Sequence, residues 1–503
     1  GWMLCRGVVR VARRSIASQD AISNLVNSFT LNSKVSHGDP VQSSQAWNLS
    51  VSSRIISLTS PITTSQLDSL NQINNEIAVG NAEEVLVAID KLCKLKLTNL
   101  KVFTRLVQSL VSSPVSSIAN SSLTCLVEVM ETLKEMSIQV DGRWIKSLEA
   151  LVVSKLDKAS PSELIFVLRR IPSMTSTEQS NTIHNKLIQS IYASKSPFSL
   201  AHCISLASAC LTKHLHDPRL KSRLVHETWT SITQLDNWRD VRTLITLFSI
   251  WRVPSDELWK HLCAWTANRA KEAKITDLNA VVCSYAFLGR EEGELTARIL
   301  AERCSANCSP NAVEWLRTVH SLVFFNCAPI RFLESILDPQ FIQEVLQSAR
   351  PSLRSSILSQ LSQVNKWADQ TLSLNVQLDS VFTKEDEATA ISDFYGRYSK
   401  EVEAFRGCLL RVIHQKVAFP RFDPSGTVIE GLFESQGHKT AVMFIAENRL
   451  SVFEDGERLA GTDKLAIRLM EGEGKRTRVF SSREMATFGT TVEATAHVRK
   501  KLQ

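Results

Sequence analysis

Glycine and proline are scarce, at 17 and 14 in 503 residues. A β-sandwich needs turn residues every few positions, and a doubly wound enzyme needs glycines where its strands meet its helices. Both architectures are therefore disfavoured and helix is favoured. No run of about 18 or more apolar residues occurs, so no segment reads as a membrane-spanning helix. A metal framework is missing too. The eleven cysteines are scattered, and Cys125, Cys203, Cys210 and Cys283 sit inside apolar helical patterns as small hydrophobes do. The one close pair off that pattern, Cys304 and Cys308, has no second pair or histidines at zinc-ligand spacing. This usage suits a reducing compartment.

What is there begins with charge. The net charge is +7 and the pI about 8.8, a balance that suits a nucleic-acid partner but also many proteins that bind no polyanion. Near the amino terminus, Arg6, Arg10, Arg13 and Arg14 precede the first acidic residue, Asp20. On a helix they fall away from Leu4, Val8 and Val11. An Arg- and Ser-rich, acid-poor amphipathic segment reads as a mitochondrial presequence over 1–31, or else as a basic arm that touches RNA. Residues 32–66 are rich in Ser, Thr and Asn and read as a flexible linker.

Between 67 and 347 a triplet of apolar or small positions at i, i+4, i+7 recurs. It is Val85-Ile89-Leu92, Leu126-Met130-Leu133, Leu164-Leu168-Ile171 and Cys203-Ala207-Cys210. It continues as Leu244-Phe248-Trp251, Val281-Tyr285-Leu288 and Leu316-His320-Val323. Successive triplets start 35 to 41 residues apart, the period of helical-hairpin arrays. Each triplet lies on one helical face, and a second helix follows, with Phe103, Trp144, Leu258, Leu295 and Ile330 as its expected anchors. One hairpin cannot bury its apolar face alone, so the pattern predicts a stacked α-solenoid of about seven units; an irregular helical domain is the alternative. Such arrays read single-stranded RNA with polar, aromatic and arginine side chains. Arg169 and Arg170, beside Leu168, and Arg317, beside Leu316, are candidate RNA contacts or else solvated surface charges. The tetratricopeptide pattern is absent, which lowers a protein-binding solenoid. Residues 348–416 read as a helical connector.

After Pro420 the texture changes to strand, strand, helix, strand, helix over 417–503, a small α/β domain. The second strand is expected to run from Thr440 through Phe453. The landmarks are Glu447 ending an apolar strand, Leu459-Ala-Gly-Thr before a helix, Leu469-Met-Glu with a Gly-ended turn, Arg478-Val-Phe, Ser482-Arg-Glu, and Val498-Arg-Lys-Lys-Leu. On these the stretch 440–502 resembles the RAP domain, which closes FAST-kinase-like proteins and many other organellar RNA-binding proteins. The looser repeats are similar to those of octotricopeptide and heptatricopeptide families. The resemblance implies a restriction-endonuclease-like fold and binding of mitochondrial mRNA or rRNA in processing, stability or translation. Placement in the mitochondrial ribosome is the alternative.

That fold raises cleavage as a further possibility. Metal-dependent hydrolysis needs clustered carboxylates and usually a lysine. Glu430 or Glu434 with Glu447 would supply two carboxylates, but Arg449 stands at the lysine position and stays protonated. Neither a Gly-rich loop nor a His-Arg-Asp set of kinase type occurs. No catalytic residue, metal or cofactor is assigned. Lys475, Arg476, Arg478 and Arg483, around the last strand, read as phosphate contacts or a solvated edge, and Lys464 and Arg468 complete the candidate RNA-binding set.

Overall fold

A computed structural model of the chain describes chiefly residues 114–135, 140–174, 177–305, 311–348, 353–374, 383–413, 420–435, 437–453 and 456–503, with a few isolated positions besides. The expected presequence, linker, Leu92 and Phe103 lie outside the described residues. The protein is mostly helical with a small C-terminal sheet region. It divides into two compact units, Gly1–Leu235 and Asp236–Gln503. The division falls inside the expected array, and the last helices of that array share a unit with the α/β domain.

In the first unit, helices α1 (Leu123–Glu135), α2 (Gly142–Leu156), α3 (Pro161–Met174), α4 (Thr177–Ala193), α5 (Leu200–Lys213) and α6 (Pro218–Ser231) pack as successive pairs. The odd-numbered helices lie beside one another in one layer and the even-numbered in another. Their starts are written locally. The Asp141 carboxylate accepts from Arg143 N–H, Ser199 and His202 form a reciprocal cap, and Asp217 precedes Pro218 at the first turn. The triplets fill the space between helices: Leu126, Leu164, Leu168, Cys203, Ala207 and Cys210 are all essentially inaccessible. Full burial of such a leucine contributes about 1.5–3 kcal/mol.

The second unit begins with α7 (Trp238–Trp251), α8 (Asp256–Arg269), α9 (Ile275–Leu288), α10 (Glu294–Arg303), α11 (Ala312–Phe324), α12 (Ile330–Leu337), α13 (Pro339–Ser348) and α14 (Arg354–Leu372). Helix α7 lies beside α9, α9 beside α11, and α11 beside α14. The triplets on α7, α9 and α11 are buried throughout, including His320. Polar bridges cross the same layer. Arg242 pairs with Asp277 at 2.5 Å, Thr318 donates to Asn279 Oδ1 at 2.9 Å, and His320 Nε2 meets Gln363 Oε1 at 2.6 Å. Two expected anchors fail: Leu295 is 55% exposed and Ile330 51%. Each sits at the start of its helix, and Ala297 and Leu300, or Phe332 and Leu333, turn inward instead. The seven free described cysteines include Cys125, Cys203, Cys210 and Cys283, whereas Cys304 is disulfide-bonded.

Helices α15 (Lys384–Tyr395) and α16 (Ser399–Val412) follow in the stretch expected as helical connector, and Tyr395, Val402 and Phe405 pack against the sheet. The strands are β1 (Arg421–Asp423), β2 (Thr427–Ile429), β3 (Gly431–Ser435), β4 (His438–Ile445), β5 (Leu450–Phe453), β6 (Gly456–Leu459) and β7 (Arg476–Ser481). Helices α17 (Gly461–Gly472), α18 (Ser482–Ala486) and α19 (Thr491–Leu502) complete the domain. The main sheet has the order β3-β4-β7: β3 pairs antiparallel with β4 (Leu432 opposite Ala441), and β4 pairs parallel with β7 (Val442 opposite Arg478). The parallel step needs a crossover, which β5, β6 and α17 provide. The expected long second strand is in fact broken by a 3₁₀ turn at Glu447–Arg449, after which β5 pairs with β6 as a separate hairpin. Alternation sets the two faces. Val442, Phe444 and Phe480 pack with Phe405 of α16 and Val498 of α19, whereas Ala441, Met443 and Ile445 pack with Met470 of α17.

Candidate nucleic-acid interface

Helix α17 carries two of the candidate basic residues, and its surroundings decide what they do. It lies against α9, α11 and α14. Glycines permit the approach. A Cβ on Gly461 would stand 1.6 Å from the Ala286 carbonyl oxygen, and one on Gly426 would stand 2.4 Å from that of Ser359. Gly289 ends α9 in the left-handed conformation, φ 72°, beside Leu459 and Gly461. The amino-terminal end of α17 thus meets the carboxyl-terminal end of α9, a favourable pairing of helix dipoles. Arg468 donates to the carbonyls of Val323 at 3.1 Å and Phe324 at 2.9 Å, capping α11. Gln363 and Gln370 of α14 donate to Thr462 O and Leu469 O, at 2.9 and 2.8 Å, and Arg252 donates to Leu450 O at 2.6 Å.

The structure therefore divides the nine candidate residues. Lys464 pairs with Glu291 at 2.6 Å and Arg468 caps α11, so both hold the α/β domain to the helices. Lys475 lies between Asp423 at 3.1 Å and Glu473 at 2.8 Å, most of its surface covered. Asp423 is fully buried; burial pushes its carboxyl up, but the Ser425 N–H and the Lys475 ammonium outweigh that and hold it below the usual range. Arg483 meets Glu447 at 3.0 Å on the surface. In the first unit, Arg170 bridges α3 to Glu128 and Glu131 of α1, and Arg169, exposed, reaches Ser205 O of α5 at 3.4 Å. Arg317, Arg476 and Arg478 have no ion-pair partner among the described residues. Arg411, Arg499 and Lys500, exposed at the ends of α16 and α19, join them. Their signal in the sequence was the basic closing turn of each helix, which helix-dipole compensation explains equally well.

The candidate carboxylates do not converge. Glu430 is fully buried, bonded to Tyr395 Oη and, at 2.6 Å, to Arg406 Nε. Burial pushes its pKa up to about 8. Glu434 is exposed on β3, and Glu447 lies beyond the far end of β4 with Arg483. Among the described residues no group of three or more His, Cys, Asp or Glu is placed to hold a metal ion. Arg449, at the expected lysine position, is instead committed to the buried Asp463 and stacks over Phe394. Among the described residues no helix is long and apolar enough to cross a membrane.

The chain matches no protein-family model and no curated protein. Residues and geometry alone carry the functional reading.

Proposed function

We propose that the protein is a non-catalytic RNA-binding protein of the mitochondrion, in which an α-solenoid of paired helices and a terminal RAP-like domain grip single-stranded RNA. The observation that carries the reading is the repeated two-layer packing of helix pairs. Such packing leaves one row of helices to face a ligand and reuses the same backbone for successive nucleotides. The basic balance and the arginines that have no ion-pair partner among the described residues supply the electrostatic attraction such binding requires. The acid-poor amino-terminal segment supports the mitochondrial address. Processing, stabilisation or translation of organellar transcripts are the roles that fit.

The test is binding of the purified chain to mitochondrial RNA fragments across a salt series, with EDTA present. Affinity that falls steeply with salt and persists in EDTA is expected. Absence of binding at low salt overturns the proposal and leaves a protein-binding scaffold. A Mg²⁺-dependent cleavage product, lost in Glu447→Ala, overturns the non-catalytic part alone.

A further inference from the structure

Resting on the RNA-binding reading above, we infer that the α/β domain meets RNA along the outer edge of β7, where Arg476 and Arg478 contact successive phosphates of one extended strand. The face of the sheet covered by α17 is unavailable, because α17 is itself wedged against α9, α11 and α14. The basic residues of that face and its rim are already spent: Lys464 on Glu291, Arg468 on helix-end carbonyls, Lys475 on Asp423 and Glu473.

The opposite face is packed too, by α16 and α19, but among the described residues the basic residues at its β7 edge are not paired. Strand β7 is an edge of the β3-β4-β7 sheet. Phe480 packs with α16 and α19, and side chains alternate along a strand, so Arg478 and Arg476 project on that same side. They stand two residues, about 6.7 Å, apart. Arg476 is exposed and Arg478 partly so. Among the described residues neither has an ion-pair partner, and Arg478 Nε is buried without a hydrogen bond. The helices packed on this face end in Arg411, and in Arg499 and Lys500, which also have no ion-pair partner among the described residues. The acids nearest in sequence have other partners: Glu471 accepts from Thr477 Oγ1 at 3.0 Å, Glu473 pairs with Lys366 and Lys475, and Glu484 pairs with Lys501 and His497. Lys439 projects to the other face, opposite Glu434. A single file of two unpaired arginines on an edge strand suits a linear polyanion with flexible backbone better than a rigid duplex, whose phosphates present a broad surface.

The test compares the full chain with Arg476→Glu/Arg478→Glu and, as a control, Lys271→Glu/Lys274→Glu, whose lysines are exposed elsewhere in the same unit. Probes are single-stranded poly(U) and an RNA duplex, titrated from low to moderate salt, with circular dichroism to establish folding. The β7 variant is expected to weaken poly(U) binding about tenfold or more and to lower the salt slope by about 1.4, at roughly 0.7 per phosphate lost. The control should stay within about twofold of the parent. If the parent binds RNA but the β7 variant matches the control, the edge assignment is overturned while RNA binding stands. If duplex is bound as tightly, with the same dependence on the two arginines, the single-strand assignment falls. If the parent binds neither probe, the underlying functional reading fails. Arg476→Lys/Arg478→Lys should retain most binding, because the charge is kept; loss in that variant as in the Glu variant would also count against a phosphate contact.

Discussion

Helix α5 of the first unit ends in a left-handed cap of its own. His214 adopts the left-handed conformation, φ 54°, and its N–H returns to the carbonyls of Cys210 and Leu211. Helices α9 and α11 of the second unit are in addition covered by another element: Gly289 returns its N–H to the carbonyls of Ala286 and Tyr285 as His214 does to its own helix, but lies beneath Gly461, and the last carbonyls of α11 accept from Arg468. The two units repeat the same apolar triplet on the same kind of helix pair, yet they use basic side chains differently. In the first, Arg170 joins neighbouring helices within a layer at a partly exposed site. In the second, arginines and lysines of one substructure satisfy carbonyls and carboxylates of another. A helix end is a set of orphan acceptors, and whatever covers it must bring donors. A basic residue on the covering element is thus a structural requirement before it is a candidate for ligand binding.

The sharpest way to break this contrast is Gly461→Val. With a Cβ already 1.6 Å from the Ala286 oxygen, the side chain has no place unless α17 lifts from α9. We expect a loss of more than about 4 kcal/mol, seen in denaturant unfolding, with hydrogen exchange accelerated at the ends of α9 and α11 but not in α1–α6. Unchanged stability would mean that the glycine contact does not hold the domain. Next in size is Arg449→Met. It leaves Asp463, 1% exposed, without its ion-pair partner, and should cost about 3–5 kcal/mol. The exposed Lys260–Glu257 pair gives the comparison, since Lys260→Met should cost under about 0.5 kcal/mol.

A pH series sharpens the picture of the helix layer. Burial between α11 and α14 pushes His320 down to about 4 from its ordinary 6.5. Its contribution is fully present above pH 6.5 and is lost as pH falls toward 4, about 3 kcal/mol in all. His320→Gln should remove that slope from the unfolding free energy. Glu430 acts with the opposite sign, because its raised pKa makes folding relatively more favourable in acid and the advantage fades as pH rises from about 4.5 to about 8. A His320→Gln protein with the parental slope below pH 6.5 would assign the effect elsewhere. The smallest effect is Gly407→Ala, in the middle of α16 with open space where the Cβ would go. It should stabilise by about 0.5–1 kcal/mol, read as a raised thermal midpoint. The pair Gly461 and Gly407 then separates a glycine that packing requires from one it merely tolerates.

The triplets could be read in the sequence because helix periodicity is a local property. Leu126, Phe248 and Val281 point inward for the same reason that their spacing is i, i+4, i+7. The helix starts at Asp141, Ser199, Asn237 and Asn311 are likewise local, each supplying an acceptor for its own first turn. Leu295 and Ile330 misled because an apolar residue in the first turn need not share the buried face. The break at Glu447–Arg449 was hidden because Leu450-Ser-Val-Phe has strand character on either reading, and only its partner, β6, shows that it left the sheet.

For the candidate interface the balance reverses. Charge and residue type placed Lys464, Arg468 and Lys475 among possible RNA contacts, and nothing nearby in sequence announces Glu291, the carbonyls of Val323 and Phe324, or Asp423 as their partners. Those partners lie from about fifty to more than a hundred and seventy residues away along the chain. The sequence by itself determined helix pairs, an apolar seam between them and a short α/β ending, because periodicity and capping act within a few residues. Only the tertiary structure decided which cations are used up and which remain, because pairing a charge depends on what folding brings within about 4 Å of it.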